Sequence, residues 1–293
     1  MDQQRAPEED WATCARGEQH WGRLGGAGVA AWLPDGRVLL QLRSGRSHHG
    51  GTWGWPGGAR RRGETALAAA VREAGEETPL DTSVLQPRWW HLADHGGWTY
   101  TTVGAAAPAA QADLAPDGAH WETDDLRWIA DPAALDLHPG VAEAWPALAP
   151  LVGAQATLVV DAANVVGSRP DGWWKDRAGA ATRLRDELAA LARTGLAHIR
   201  FDPRDQLGLA VAGWWPRLVL VTEGQARGVT STPDVTVVPA PAAGDDEIVR
   251  QAALALDTRP TPTSPVAVVT ADRELIRRVA ALGATTLRPS AIR

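Results

Sequence analysis

The sequence predicts two domains in series, an α+β domain on a mixed sheet followed by an α/β domain on a parallel sheet. Three observations carry this expectation. The 293 residues give room for about two domains of ordinary size. The first half reads as short apolar runs and turn residues around one clear helix, which suits an α+β sheet domain. The second half alternates apolar strands with amphipathic helices, the pattern of a parallel sheet covered on both faces. The domains are placed at residues 20–152 and 156–293, with no Gly/Ser-rich or charge-rich linker between them.

Taken in order, AGVAAWLPDGRVLLQLR (27–43) sets two apolar runs around Pro34-Asp35-Gly36, a hairpin signature. Further strands are expected at 52–56, 88–92, 98–105 and 126–129, a helix over 65–78, and a second helix over 141–151 in spite of Pro146. Beyond Gly153 the order is ATLVVDAANVV, GAATRLRDELAALAR, RLVLVTEG, DVTVVPAP, DDEIVRQAALAL, VAVVTAD and RELIRRVAALG.

Hydrophobic residues at 44% and charged residues at 22% lie near the globular average, which excludes a disordered or fibrous chain. The single cysteine, Cys14, excludes an internal disulfide and a Cys-rich zinc site, and it points to a reducing compartment. The N-terminus is acidic and polar, and no apolar run is long enough to cross a bilayer. The chain is therefore expected to be cytoplasmic, with no membrane partner; no oligomeric state is assigned. Residues 1–150 carry 12 arginines against 20 acids, and residues 151–293 carry 17 basic residues against 15 acids. Neither half has the positive field of a protein that holds duplex nucleic acid mainly through phosphates.

The first chemical constellation follows a glycine-rich loop. Gly57 to Glu64 leads into TALAAAVREAGEET. At about 100° per residue, Leu67, Val71, Ala74 and Thr78 form the buried stripe, and Glu73, Glu76 and Glu77 share the opposite face. Such carboxylates repel one another by roughly a few tenths of a kcal/mol per i,i+4 pair. Either Arg60 to Arg62 and Arg72 neutralise a solvated face, or a hard divalent cation, Mg²⁺ or Mn²⁺, binds there and keeps positions open for a substrate phosphate.

The spacing separates these readings. GARRRGETALAAAVREAGEETPL resembles the Nudix box, Gx5Ex7REUxEExGU with U aliphatic, through Gly58, Glu64, Arg72, Glu73, Ala74, Glu76, Glu77 and Leu80. The fixed polar and glycine positions would coincide on the order of once in 10⁷ windows by composition alone. Pro79 departs from the box glycine; it ends the helix by another route, pushing Thr78 out of the helical region. The resemblance implies a Nudix fold and hydrolysis of a nucleoside diphosphate linked to another group. It implies Mg²⁺ or Mn²⁺ held by Glu73, Glu76 and Glu77, which neutralises the diphosphate and activates water. The catalytic set it implies is Glu76, Glu77 and Arg72, with Glu76 or Glu77 orienting or deprotonating the water. Arg72, Glu64 and Gly58 brace the cluster, and Glu122 resembles an additional acid from outside the box.

His48-His49 and the pair His91 and His95 find no third ligand in the sequence and read as surface or satisfied histidines. Of the 15 tryptophans, most are expected in the core, while Trp53 or Trp98 is a candidate to flank a base.

The second constellation places acids at strand ends, where parallel α/β sheets gather functional groups. Asp161 ends an apolar strand with Asn164 just beyond, Asp245 and Asp246 open a helix, and Asp272 follows another apolar strand. Helix capping explains Asp245 and Asp272 equally well, but not Asp161 at the end of a strand. VVDAANVVGS, GDDEIV and VVTADREL resemble the acidic motifs of the NYN domain, a PIN-like nuclease fold. That resemblance implies metal-dependent cleavage of single-stranded RNA, with Asp161, Asp245 and Asp272 as metal ligands supported by Asn164 and Asp246. Arg169, Lys175, Arg177, Arg273, Arg277 and Arg278 would supply an RNA channel. The alternative is a non-catalytic RNA-binding or nucleotide-sensing module.

Overall fold

The computed structural model describes residues 10–114, 121–170, 172–198 and 210–292. The chain divides into two units, Met1–Gly153 and Ala154–Arg293.

In the first unit β1 (Trp11–Thr13) and β2 (Gln19–Trp21) form a short antiparallel hairpin, in a segment too polar for the sequence pattern to announce it. The main sheet comprises β3 (Gly26–Trp32), β4 (Val38–Arg43), β5 (Trp53–Gly54), β6 (Gly57–Ala59), β7 (Gln86–Asp94), β8 (Thr99–Ala106) and β9 (Thr123–Ile129). Its order is β7-β8-β3-β4-β5, with β6 on β3 and β9 on β4. The β3–β8 pair is parallel and β7–β8 and β4–β9 are antiparallel, so the sheet is mixed. At the β3–β4 turn Gly36 takes φ +87°, and Asp35 accepts from the Arg37 N–H at 3.1 Å. Helix α1 (Ala66–Glu77) packs on β3 and β6, and α2 (Pro139–Leu148) runs on into a tight turn that ends at Leu151. Trp89 is fully buried and donates its Nε1–H to the Leu151 carbonyl at 3.0 Å, tying that terminal turn to the sheet.

The second unit is a parallel sheet of β10 (Thr157–Asp161), β13 (Arg217–Thr222), β14 (Val235–Pro239), β15 (Val266–Val269) and β16 (Thr285–Leu287), in the order β14-β13-β10-β15-β16. An antiparallel pair joins β11 (Leu196–Ala197) to β12 (Gly213–Trp214). Helices α3 (Ala162–Gly167), α4 (Arg177–Thr194), α5 (Gly244–Asp257) and α6 (Arg273–Ala281) connect the strands. Strand alternation sends Val159, Val219, Val221, Val266 and Val268 into one apolar cluster with Ile248 and Ala252 of α5 and Leu275 and Val279 of α6. Asp161 continues the Val159 face. The strand order reverses at β10, so the crevice beyond β10 and β15 is the switch point of the sheet.

Candidate active site

Thr65 opens α1 by accepting from the Ala68 N–H at 3.1 Å. The helix ends at Thr78, whose backbone is extended (φ −139°, ψ 157°), as the residue before proline is expected to be. The face that packs inward is not the expected stripe. Ala69, Ala70 and Ala74 are buried, whereas Leu67 and Val71 are only half-buried, because alanines let α1 lie close against the sheet.

This rotation corrects the expectation that Glu73, Glu76 and Glu77 share the face opposite the buried stripe. Glu77 is 5% exposed. Its Oε2 accepts from the Gly57 N–H at 2.8 Å and from Gln41 Nε2 at 3.0 Å, and Thr123 Oγ1 donates to Gln41 Oε1 at 3.1 Å. Glu73 is half-buried, and Glu76 is exposed and bound to Arg61 (3.6 Å) and Arg72 (3.0 Å). Arg72 is the hub. Its Nε and Nη2 donate to the two oxygens of Glu64 at 2.9 and 3.0 Å, Nη2 also to the Ala59 carbonyl at 3.0 Å, and Nη1 to Glu73 at 2.7 Å and Glu76 at 3.0 Å. Bonding to Arg72 holds the Glu64 carboxyl below its usual range, and bonding to Glu64 raises the Arg72 guanidinium. A Cβ on Gly58 would lie 2.7 Å from the Glu73 carboxyl carbon, so only glycine fits there without displacing that acid.

Burial pushes the Glu77 carboxyl well up, and its contact with Glu122 adds to the rise. Burial also raises Glu73, against the opposing pull of Arg72. The buried Glu77 thus meets the half-buried Glu122 at the start of β9, while the half-buried Glu73 is bound by an arginine already committed to Glu64. Oxygen donors without histidine or cysteine among them fit a hard divalent cation. Sequence reasoning missed Gln41, Thr123 and Tyr100. Tyr100 is half-buried with its hydroxyl turned inward near Glu77 and Glu73, and burial raises that hydroxyl. A glutamine inside the apolar run VLLQLR, and the only tyrosine of the chain, were the available signals.

Residues 22–149 match the NUDIX domain family. The chain is 42% identical over 159 residues to the Mycobacterium tuberculosis protein named "Putative 8-oxo-dGTP diphosphatase 3", a match that covers 50% of this chain and 71% of that protein. The chain belongs to the Nudix family. It is a Nudix-type diphosphohydrolase. It is also 33% identical over 129 residues to a Bifidobacterium longum "Nucleoside triphosphate pyrophosphatase/Nudix hydrolase fusion protein", covering 42% of this chain and 27% of that one. Among solved structures, the Nudix hydrolase RenU from M. smegmatis is 40% identical, with 48% of this chain and 92% of that chain covered and a TM-score of 0.43. Within the Nudix unit Trp98 does not stand free to flank a base: it is buried, donates to the Gly22 carbonyl at 2.7 Å and stacks on His20. Among the described residues no helix is long and apolar enough to cross a membrane.

The acids outside the Nudix unit behave differently. Asp161 does cap a helix, contrary to the expectation from its strand: α3 starts at the next residue, and Asp161 Oδ1 accepts from the Asn164 N–H at 3.0 Å. Its Oδ2 accepts from Thr270 Oγ1 at 2.9 Å, and Asn164 Oδ1 accepts from the Ala271 N–H at 2.8 Å, which joins the ends of β10 and β15. Asp272 caps α6 by accepting from the N–H groups of Glu274 (2.8 Å) and Leu275 (2.9 Å). Asp245 is not a cap. Glu223, just past β13 and missed in the sequence, accepts from the Gly244 N–H at 2.8 Å. The rule that singled out Asp161, an acid directly beyond an apolar strand, would have found it. Asp246 pairs with Arg278 at 2.7 Å. Burial raises Asp161 and Asp245, with Asp272 and Glu223 adding to the rise of Asp245. Of the arginines expected to line an RNA channel, Arg169 is held bidentately by Glu187 (2.8 and 2.7 Å), Arg277 lies 3.7 Å from Glu274 and Arg177 lies over Trp173. Arg273 and Arg288 line an open cleft of about 490 Å³ with Ser168, Thr270 and Ser290.

Proposed function

We propose that the Nudix unit cleaves the diphosphate of a nucleoside diphosphate derivative, with Mg²⁺ or Mn²⁺ held by Glu73, Glu76 and Glu77 and supported by Glu122. The buried, upward-shifted Glu77 beside Glu122 carries this reading, because a fold keeps such a pair at a cost that structure alone does not repay. When bound, the cation neutralises the diphosphate charge and activates water. The protein contributes geometry. Gly57 and Gln41 fix one oxygen of Glu77, Arg72 locks Glu64 and Glu73 in place, and Gly58 clears the space in front of Glu73. Glu76, held only at the surface by Arg61 and Arg72, can turn toward the substrate to orient or deprotonate the water. The name of the M. tuberculosis relative makes 8-oxo-dGTP the first compound to test. A panel of nucleoside diphosphate derivatives, assayed with Mg²⁺ and with Mn²⁺, should give turnover with at least one member. In parallel, saturating Mg²⁺ or Mn²⁺ should raise Tm by mass action beyond an NaCl control of equal ionic strength. No turnover across the panel together with equal Tm shifts would overturn the assignment.

For the second unit we propose a metal-dependent ribonuclease acting on single-stranded RNA, with Asp161, Asp245 and Asp272 as ligands. Asp245 favours this reading: among the described residues its side chain makes no hydrogen bond or ion pair, although Asp272 and Glu223 act on it as well as Arg278. Wild type should cleave single-stranded RNA in Mn²⁺, and Asp245→Asn should abolish cleavage without affecting Nudix turnover. Tight RNA binding without cleavage would instead favour the binding or sensing module.

A further inference from the structure

The β1–β2 hairpin is tied to the turn between β7 and β8. Ala15 N–H donates to the Gly96 carbonyl at 2.8 Å and Arg16 Nη2 to the Asp94 carbonyl at 3.3 Å. Gly96 takes φ +74°, and a Cβ there would lie 2.7 Å from the Ala15 Cβ, so the close approach requires glycine. Four side chains with metal-binding atoms meet in this closure. Cys14, which is buried, Glu18 and His20 come from the hairpin and His95 from the turn, with one ligand atom of each within 4.8 Å of all the others. Glu18 Oε2 lies 3.2 Å from His95 Nδ1, 3.7 Å from His20 Nε2 and 4.0 Å from Cys14 Sγ. A tetrahedral zinc site with arms of about 2.0–2.3 Å has edges of roughly 3.3–3.8 Å, so these spacings need only small adjustments to close on an ion.

Two further features point to a ligand. His20 Nε2 is buried with no hydrogen-bond partner, an uncommon state for a buried polar atom. Its ring is fixed by stacking on Trp98 at 4.0 Å between centroids and 9° between planes. Glu18 is exposed and gives an ion a path inward.

We propose that Cys14, Glu18, His20 and His95 form a four-ligand site for a divalent transition metal, Zn²⁺ in the first place, that clamps the β1–β2 hairpin to the β7–β8 turn. A thiolate, two imidazoles and one carboxylate select a softer ion than the all-oxygen cluster on α1 does. Four protein ligands make a closed site, structural rather than catalytic.

The chain has one cysteine, so a thiolate signal can report only this site. Full-length protein, stripped by a chelator and kept reduced with a phosphine, is titrated with Co²⁺. The expected result is a thiolate-to-Co²⁺ charge-transfer band and tetrahedral d–d bands that saturate near one equivalent and disappear when Zn²⁺ is added. Cys14→Ser should lose the band while keeping its fold and its Nudix turnover. His95→Ala should weaken Co²⁺ binding at this site by at least about tenfold, the scale of even outer-shell losses. One equivalent of Zn²⁺ should raise the Tm of wild type more than that of Cys14→Ser. Co²⁺ held by the oxygen cluster, or by the neighbouring His48, His49 and His138, gives no thiolate band. Failure of folded, reduced wild type to show the band overturns the proposal, as does a band that survives unchanged in His95→Ala.

Discussion

The acids on α1 and the acids at the edge of the parallel sheet look alike in the sequence, and the structure separates them by the work each side chain already does. At the sheet edge Asp161, Asp272 and Glu223 accept helix N–H groups and Asp246 pairs with Arg278. Structure alone accounts for their positions. On α1, Glu77 caps nothing. It is buried in the middle of the unit against Gln41 and Gly57, with a second carboxyl beside it. An acid that costs stability and holds no helix end is the stronger mark of chemistry, and by that measure Asp245 is the sheet-edge residue most like Glu77.

The largest expected effect tests this contrast within α1. Glu76→Gln and Glu77→Gln should each lower turnover by at least about a hundredfold, or about 2.7 kcal/mol in the barrier. They should part company in stability. Both bonds to Glu77 fall on one oxygen, so a glutamine amide oxygen can accept both while its NH₂ faces Glu122. Glu77→Gln should therefore stabilise the metal-free protein at neutral pH by about 1–2 kcal/mol, a Tm gain of a few degrees, whereas Glu76→Gln should leave Tm nearly unchanged. The sign with pH follows from the raised carboxyl. Its contribution to stability is full below the ordinary glutamate range and is lost as pH rises through the folded value. The Tm advantage of Glu77→Gln should accordingly shrink on acidification, which a pH series of melting curves reads directly. Lower stability in Glu77→Gln than in wild type would place Glu77 among the structural acids.

Arg72→Ala comes next. The side chain is 17% exposed and bonds three carboxylates and a carbonyl, so its loss leaves half-buried acids without their cation and should cost about 2–4 kcal/mol. Glu64 sits below its usual range because of Arg72. The stability it contributes is present above the ordinary glutamate range and is lost as pH falls through the folded value. Removing Arg72 should flatten that acid limb, measured as Tm between neutral and acidic pH. An unchanged Tm would mean that the hub is a solvated surface network.

Much of this was legible beforehand, for identifiable reasons. The α1 helix was readable because Thr65 and Thr78-Pro79 punctuate it, and the second sheet because its strands are continuous apolar runs. The rotation of α1 was not readable, since a helical wheel weights Leu67 and Val71 above alanines, and close packing against β3 and β6 favours the smaller residues. The β1–β2 hairpin escaped because its residues are polar and held by bonds to Gly96 and Asp94, far away in sequence. For the same reason His95 found no further ligand in the sequence, when its neighbours are Cys14, Glu18 and His20. Asp161 was misread because α3 begins without a break after β10, so one residue ends a strand and caps a helix.

The smallest expected effect resolves the sheet edge itself. Asp272 accepts two N–H groups at the start of α6, so Asp272→Ala should destabilise the protein by about 1 kcal/mol, the usual cost of losing an N-cap. Asp245 supports no cap and stands among Asp272, Glu223 and Asp246, with Arg278 offsetting part of their charge. Asp245→Ala should therefore be neutral, or stabilising by up to roughly 0.5 kcal/mol as like charges separate. Chemical denaturation of both variants at neutral pH without divalent cations measures the difference, with constant m-values confirming that only stability has changed. If Asp245→Ala costs as much as Asp272→Ala, then Asp245 has a structural role like its neighbours, and the sheet edge loses the one acid that resembles Glu77. If it costs nothing, repeating the measurement with saturating Mn²⁺ sharpens the comparison: a wild-type gain that Asp245→Ala lacks would show the carboxylate holding a cation in the folded state.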